Sequence, residues 1–437
     1  MMPDLPTLFL QIVVILALAR ALGWLFRKIY QPQVVGEMVA GVLLGPSLLG
    51  WVAPGVYKTL FPPESLGYLN SLSQVGLILF MFLVGLELDL KVLRGLGHAT
   101  VVTSHVSIIF PFFLGSGLAI YLYPRLSDDS VSFTNFALFM GAAMSITAFP
   151  VLARILTERN LLKTRLGSVA ITCAAVDDVT GWCILAGIVL LARASESSLP
   201  LWAALSGVAG FIALMWFGVR QLVGKMGDFF ERYGTVTQGM LVIILLLVLS
   251  AGWVTERLGI HAVFGAFISG VIMPKNHGLV NSLTEKINDV AVVLLLPLFF
   301  AFVGLQTSLG LLSGAKMWFF AALILATAVV GKFGGSMLSA RFTGLSWREA
   351  GSLGVLMNTR GLMELVLLTI GLEIGVISQA LFSMLVLMAI TTTFMTSPIL
   401  EWIYYSRLYP KKTTLAETAN ESEEATVDQA SSFPVIE

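Results

Sequence analysis

The feature of this sequence with the clearest chemical potential is a pair of adjacent carboxylates inside an apolar stretch. Asp177 and Asp178 stand between Val176 and Val179, with apolar residues continuing on both sides. An acid at the centre of a bilayer costs on the order of 2.5–3.5 kcal/mol, so two together require partner groups, a proton, an ion or water. Successive helical residues point about 100° apart. We therefore expect one carboxylate to face a cavity and the other to face a neighbouring helix.

A lysine in a second apolar stretch is the natural partner for one of these acids. Arg341 and Arg165 mark the same side of the membrane. Lys332 lies roughly 14 Å along a helix from Arg341, and Asp177 lies roughly 18 Å along a helix from Arg165. The two depths match within the reach of a lysine side chain, and neighbouring glycines allow close helix approach. A desolvated lysine can also act as a proton carrier. The alternative is a lysine that extends its ammonium group to the membrane surface.

Arg360 and Glu364 form a third group of charges at membrane depth. They are four residues apart, which is the spacing of an ion pair on one face of a helix. Two roles stay open: a structural pair that neutralises itself and secures the helix, or a direct part in transport.

Two segments place polar groups next to a helix breaker in the middle of apolar stretches. These are Ser145–Pro150, which contains Thr147, and Asn358–Gly361, which contains Thr359. Both predict discontinuous helices, whose freed carbonyl and hydroxyl oxygens can coordinate a small cation beside the carboxylates.

The whole composition requires a lipid environment for these charges. The chain has 437 residues, of which 57% are hydrophobic and 12% are charged, about half the charge density of a soluble domain. This excludes a soluble enzyme. The 26 basic and 26 acidic residues balance, which argues against a nucleic-acid partner. The sequence predicts an all-α polytopic membrane protein.

Apolar runs between charged or Gly/Pro-rich breaks predict thirteen transmembrane helices. They lie near residues 7–26, 34–52, 69–88, 99–122, 134–154, 166–192, 200–220, 235–255, 260–274, 287–306, 316–340, 348–371 and 378–405.

The basic residues predict the orientation of these helices. Three of the 26 lie inside spans and 18 fall on one side of the membrane. The opposite side collects only Lys58, Arg125, Arg193, Arg257 and Lys316. Cytoplasmic loops carry the excess of Lys and Arg, so we expect the N-terminus outside and the C-terminus in the cytoplasm.

Three sequence echoes, each displaced by seven spans, predict an internal repeat. Val84-Gly-Leu86 matches Val303-Gly-Leu305; the other two echoes link Gly36–Pro46 to Gly265–Pro274, and Met144–Thr147 to Met357–Thr359. Because seven is odd, equivalent helices enter from opposite sides. The prediction is two inverted six-helix repeats with crossed discontinuous helices, an arrangement of secondary transporters.

The domain boundaries follow from the repeat. A transmembrane domain covers residues 1–410, with repeat one at about 7–192, a linking helix at 200–220 and repeat two at about 235–405. Residues 411–437 are predicted to be a disordered acidic cytoplasmic tail, because after Lys412 they carry six acidic residues and no basic one. The first apolar run lacks the features of a cleaved signal peptide.

Five segments together resemble the monovalent cation:proton antiporters, in the branch that holds sodium/proton antiporters, plant cation/proton exchangers and potassium-efflux antiporters. The resemblance covers residues 5–405 and is carried by Gly36–Pro46, Phe82–Asp89, Ser145–Leu156, Ala174–Asp178 and Asn358–Glu364. It implies a sodium/proton antiporter-like fold, a homodimer, no cofactor and no enzymatic activity. It also implies that a core domain moves against a dimer-forming domain.

The resemblance also implies roles for individual residues. Asp178 would bind the transported Na⁺ or the proton, with Thr147 beside it, and Asp177 would pair with Lys332. Thr359 would stand at the second helix break, and the remaining support residues would be Asn358, Arg360 and Glu364.

The functional expectation is secondary active exchange of a monovalent cation for protons by alternating access, with an electrogenic cycle. Na⁺ is the first candidate, followed by Li⁺ and K⁺, and a bacterial inner membrane is the expected location. Two other classes stay open. One is a cation channel, although the sequence has no Thr-Val-Gly-Tyr-Gly filter. The other is an intramembrane aspartyl protease, whose two acids would have to converge from separate helices.

Overall fold

The computed structural model describes residues 5–88, 98–128, 130–162, 164–193 and 201–405. Within these ranges all regular structure is helical, and no strand occurs. The predicted tail, residues 411–437, lies outside the described residues. The all-α polytopic architecture predicted from the apolar runs is confirmed.

Twenty α-helices lie within the described ranges. They are α1 (Leu5–Lys28), α2 (Gln33–Leu44), α3 (Leu49–Val52), α4 (Pro54–Leu60), α5 (Pro63–Glu87), α6 (His98–Leu126), α7 (Phe133–Ser145), α8 (Phe149–Glu158), α9 (Arg165–Arg193), α10 (Leu201–Ala213), α11 (Arg220–Tyr233), α12 (Gln238–Arg257), α13 (Ala262–Val271), α14 (His277–Asn288), α15 (Leu296–Gln306), α16 (Ala315–Val329), α17 (Gly335–Phe342), α18 (Trp347–Met357), α19 (Leu362–Glu373) and α20 (Gln379–Leu400). Four π-helical stretches, at Leu214–Val219, Asp289–Leu295, Val330–Gly334 and Glu401–Tyr405, continue or join these helices.

The described residues contain eleven segments long and apolar enough to cross a membrane, and some of them, such as α7 with α8, consist of consecutive helices. The number is twelve if the bent pair α18 and α19 is one span. The predicted ninth span, near residues 260–274, contains only the ten-residue helix α13. At 1.5 Å per residue this helix covers about 15 Å, half of a hydrocarbon core of about 30 Å. The count of thirteen spans stays a prediction. The predicted linking helix is longer than expected, since its span extends to Tyr233.

Two reciprocal glycine contacts join the two halves of the chain. A methyl group on Gly85 of α5 would overlap the carbonyl oxygen of Phe267 in α13. In the same way, a methyl group on Gly304 of α15 would overlap the backbone of α2 at Gly41. Each glycine of the repeated Val-Gly-Leu sequence thus allows its helix to press against the backbone of a helix from the other half. This exchange of partners is the contact pattern that an inverted repeat produces, while the repeat boundaries stay a prediction.

Both predicted helix breaks are present. The first separates α7 from α8 at residues 146–148, and Pro150 in the first turn of α8 has no N–H to continue a helix from α7. The second separates α18 from α19 at residues 358–361, and the two helices are bent by 41°. The breaks meet, because the backbone N–H of Ala148 donates to the carbonyl of Thr359 over 3.0 Å. The freed backbone groups of one break therefore partner those of the other.

Candidate functional site

A fully buried ion pair lies beside the crossed breaks. The Nζ atom of Lys332 is 2.6 Å from Oδ2 of Asp177, and neither side chain is exposed. Asp177 comes from the unbroken helix α9, whereas Lys332 comes from the π-helical stretch between α16 and α17. In a medium of low dielectric constant the charge on each group is tolerable because the other neutralises it.

The ammonium group of Lys332 has a hydrogen-bond acceptor for each of its three hydrogens. Besides Asp177, it donates to the carbonyl oxygen of Ser107 over 2.9 Å and to the carbonyl oxygen of Ser145. Ser107 belongs to α6, and Ser145 is the last residue of α7 before the first break. Lys332 therefore connects the acid to the end of a discontinuous helix.

Two hydroxyl groups complete the surroundings of the Asp177 carboxylate. Ser107 Oγ lies 3.0 Å from Oδ1, and Thr147 Oγ1 lies 2.8 Å from Oδ2. Thr147 stands in the first break and is also 2.8 Å from the carbonyl oxygen of Met357, the last residue of α18. The Thr147 hydroxyl has a single proton, so it donates either to the acid or to the end of α18, and both acceptors lie within its reach.

Asp178 has a different environment from its neighbour. It is only 3% exposed, and its Oδ1 atom accepts one long hydrogen bond, 3.5 Å, from the backbone N–H of Phe149. No described group donates to its Oδ2 atom. Phe149 is the first residue of α8, so the carboxylate faces the positive end of a helix dipole. Asp178 is a buried acid with one oxygen free to hold a proton or a cation.

The remaining predicted site residues surround the second break. Asn358 and Thr359 occupy the break itself, and Thr359 Oγ1 lies 3.5 Å from the hydroxyl of Thr396 in α20. Arg360 and Glu364 form a buried ion pair. The guanidinium group of Arg360 also donates to the carbonyls of Ala143 and, over 2.8 Å, of Met144. It therefore reaches across to the last turn of α7, whose carbonyls have no partner inside their own helix.

Asp177 is hydrogen-bonded directly to Lys332 and to Thr147. Asp178 is the next residue of the same helix. Arg360 and Glu364 pair with each other, and among the described hydrogen bonds neither contacts Asp177 or Asp178. Sequence reasoning missed Ser107. Its signal was a run of polar residues, Thr103, Ser104, His105 and Ser107, within an otherwise apolar span.

The family comparison covers nearly the whole chain. The profile described as "Sodium/hydrogen exchanger, transmembrane" matches residues 13–403. The chain belongs to the sodium/hydrogen exchanger family. The resemblance read from the five sequence motifs is thereby confirmed, and the chain is a multi-pass membrane protein of a transporter family.

Named relatives lie within this exchanger family. The chain is 45% identical over 394 residues to the Na(+)/H(+) antiporter NhaS4 of Synechocystis, covering 90% of this chain and 96% of the relative. It is 43% identical to the Cation/H(+) antiporter 17 of Arabidopsis thaliana and 34% identical to the K(+)/H(+) antiporter 1 of Saccharomyces cerevisiae. These alignments cover 92% and 91% of this chain. The chain spans 48% of the length of the plant relative and 46% of that of the yeast relative.

A solved structure shares the exchanger fold. The sodium proton antiporter MjNhaP1 from Methanocaldococcus jannaschii superposes with a TM-score of 0.67 at 16% sequence identity, covering 91% of this chain and 97% of that chain. This likeness confirms the sodium/proton antiporter-like fold that the family resemblance implied.

Proposed function

We propose that this protein exchanges a monovalent cation for protons across a membrane, and that Asp178 is the shared binding site. The observation that carries the proposal is the contrast between the two aspartates. Asp177 is surrounded by the ammonium group of Lys332 and two hydroxyl groups, whereas one oxygen of the buried Asp178 carboxylate has no hydrogen-bond partner among the described residues. A buried acid in this state binds either a proton or a cation. Competition between the two enforces exchange without a separate gate.

In this proposal Thr147 and the two helix breaks supply further oxygen ligands for the cation. The hydroxyl of Thr147 lies at the crossing of the breaks, where irregular backbone leaves carbonyl oxygens available. Such oxygens replace the water that a cation loses on leaving solution. Asn358, Thr359, Arg360 and Glu364 hold the crossing in place, which is supported by the bonds from Arg360 to the end of α7.

Lys332 makes the cycle electrogenic in this proposal. When a cation binds at Asp178, its charge weakens the attraction between Asp177 and Lys332, and the lysine can then release a proton. One proton leaves Asp178 when the cation replaces it, and a second proton leaves Lys332, so two protons are exchanged for each cation. The proposal is supported by the saturated hydrogen bonding of the ammonium group, which gives the lysine a single well-defined charged state before the cation arrives.

The names of the relatives support a monovalent cation and leave its identity to experiment. Sodium is the first candidate because of the Synechocystis relative, and potassium follows because of the yeast relative. Lithium is the third ion to test.

Alternating access and assembly belong to the same proposal. We infer that one domain containing the crossed helices moves against a second, dimer-forming domain, and that the functional unit is a homodimer in a bacterial inner membrane. The proposed topology keeps the N-terminus outside and the C-terminus in the cytoplasm, which is supported by the distribution of basic residues.

A transporter fits the site better than an enzyme or a channel. The two aspartates are neighbours on one helix, whereas a protease dyad requires two acids that share a proton across separate helices. A buried lysine next to the acids also opposes passive conduction of cations.

The deciding experiment uses purified protein in proteoliposomes with an imposed pH gradient and a pH-sensitive dye. Na⁺, Li⁺ and K⁺ are added in turn to the wild type, to Asp178→Asn and to Asp128→Asn. Asp128 is an exposed acid outside the helices, so its variant is the matched control.

We expect cation-dependent proton movement in the wild type and in Asp128→Asn, and none in Asp178→Asn. Robust exchange in Asp178→Asn would refute the shared site. Cation currents without proton movement in correctly inserted wild-type protein would favour the channel instead.

A further inference from the structure

An aromatic side chain follows Asp178 by four residues on α9. Residues four apart lie on one face of a helix, about 6 Å apart along its axis. Trp182 therefore lies on the face of α9 that carries Asp178, one turn closer to the end of the helix at Arg193. The same face continues with Leu185 and Val189, and all three of these side chains are buried. Apart from the indole N–H, this stretch offers no polar side-chain group to water or to an ion.

Two phenylalanines of α13 pack on the indole ring of Trp182. The ring centroid of Phe264 lies 5.1 Å from that of the indole, with the ring planes at 83°. The ring centroid of Phe267 lies 5.9 Å away, with the planes at 28°. Both phenylalanines are buried. The three rings thus close the contact between α9 and α13 at this level.

The helix α13 is a fixed wall for this contact. A methyl group on Gly265 would overlap the carbonyl oxygen of Ala251 in α12, and one on Gly270 would overlap the carbonyl oxygen of Phe82 in α5. Backbones packed this closely on two sides leave no room for α13 to shift by itself. The two phenylalanines are therefore held in place relative to α5 and α12.

The indole is held to this wall by packing alone. No group in the described part of the chain accepts a hydrogen bond from Nε1 of Trp182, although the atom is buried. A buried indole N–H usually has a hydrogen-bond partner. Because this one has none, Trp182 can part from α13 without breaking a hydrogen bond of its side chain.

Polar contacts lie at the same end of the boundary between the helices of the site and those that pack around α13. Gln74 of α5 donates to the carboxylate of Glu373, the last residue of α19, over 3.4 Å. The backbone N–H of Ser308 donates to the hydroxyl of Ser383 in α20 over 2.9 Å. In the proposed topology these contacts lie toward the outer face. Together with the rings they close the outer side in this structure.

We propose that Trp182 is the outer seal of the exchange site: with Phe264 and Phe267 it keeps water and ions from passing between Asp178 and the outer face while the site is open to the cytoplasm. The inference rests on the exchange function proposed above and adds a residue that keeps the two ions coupled. An apolar constriction excludes water because it offers no polar group to replace the hydrogen bonds that water would lose. Trp182 touches neither ion in this assignment and acts by closing the path.

Opening the seal should create a leak that needs no transported cation. Serine in place of Trp182 leaves a gap beside Asp178, and the unpartnered oxygen of that carboxylate and the new hydroxyl give water polar partners there. We expect an imposed pH gradient to collapse about tenfold faster than in the wild type, which corresponds to about 1.4 kcal/mol removed from the barrier to leak. A variant that was only less stable would lower exchange and leave the vesicles tight.

The test first measures the collapse of a pH gradient in proteoliposomes that contain choline as the only other cation and thiocyanate as a permeant anion to balance charge. Cation-dependent flux is then measured in the same vesicles. Trp182→Ser and Phe264→Ser open the seal from its two walls, so that one variant stays informative if the other does not fold. Trp182→Phe keeps an aromatic ring. Trp253→Ser is the matched control, since Trp253 on α12 is 63% exposed.

The expected result is a fast collapse in Trp182→Ser and Phe264→Ser, with tight vesicles for the wild type, Trp182→Phe and Trp253→Ser. Tight vesicles for the folded serine variants of both walls would overturn the inference while leaving the exchange function intact. An equal leak in Trp253→Ser would also overturn it, because the effect would then not depend on the ring contact. A wild-type protein without cation-dependent flux would instead overturn the proposed function.

Discussion

Replacing Lys332 with glutamine tests the central ion pair. Glutamine is uncharged and shorter, so the Asp177 carboxylate loses its counter-charge while keeping the hydroxyls of Ser107 and Thr147. The side chains of both charged residues are fully buried. The Asp177 carboxylate must then stay ionised without a counter-charge or take up a proton.

The cost of this change can be bounded from the structure. Breaking a buried ion pair by removing one partner typically costs about 3–5 kcal/mol. Two hydroxyl donors remain on Asp177, so we expect a value near the lower end of that range. In the double variant Asp177→Asn with Lys332→Gln no buried charge is left over, and most of the loss should be recovered. The two single changes should therefore be strongly non-additive.

The assay is thermal unfolding of the detergent-solubilised protein for the wild type, both single variants and the double variant. Lys286→Gln is the control, because Lys286 is an exposed lysine on α14. In proteoliposomes, Lys332→Gln should also lose the response of exchange to an imposed voltage, since the lysine no longer carries the second proton. Additive stability losses would refute the assignment of the pair, and an unchanged voltage response would refute its role in charge movement.

Two further predictions concern the supports of the site. Gly304→Ala should destabilise the protein by about 1–3 kcal/mol, because the new methyl group would overlap the backbone of α2 at Gly41. Gly310→Ala, where a methyl group meets nothing within 4 Å, should change little, and equal melting temperatures for the two variants would contradict the close helix contact. Arg360→Gln should lower stability and exchange together, because it leaves Glu364 as a buried unpaired charge, whereas Arg360→Gln combined with Glu364→Gln should recover part of the stability, since the bonds to the end of α7 stay lost. A double variant no more stable than Arg360→Gln in thermal unfolding would contradict the ion-pair assignment.

Much of this architecture can be read from the sequence, because the membrane restricts what an apolar run can become. A long apolar run must form a helix in lipid to satisfy its backbone groups, so the positions of most spans follow from hydropathy alone. The two helix breaks can also be predicted from the sequence, since Pro150 and Gly361 interrupt apolar runs beside polar residues. The family can be recognised because its motifs contain these breaks and the charges within the spans.

The site could be anticipated only in part. Asp177, Asp178 and Lys332 stand out in the sequence because charges within spans are rare, and Arg360 and Glu364 stand out through their spacing. For Ser107 the sequence offers only a weak signal, a run of polar residues in an apolar span, because a serine hydroxyl is readily satisfied by its own helix. Its contacts with Asp177 and Lys332 become visible only once α6 is packed against α9 and the lysine stretch.

The tertiary structure alone decided which groups meet. Hydropathy reports that a helix is in the membrane but gives little information on its rotation, because lipid and protein neighbours are both apolar. The rotation of α9 gives the lysine to Asp177 and leaves an oxygen of Asp178 unpaired. The approach of the two breaks places Thr147 beside Met357, more than two hundred positions away in the chain. The close approach of α13 to the backbone of α5, which Gly270 permits, is likewise a tertiary contact. The membrane-spanning class, the order of the helices and the unusual charges follow from the amino-acid sequence, whereas contacts between distant helices depend on close packing that no local pattern encodes.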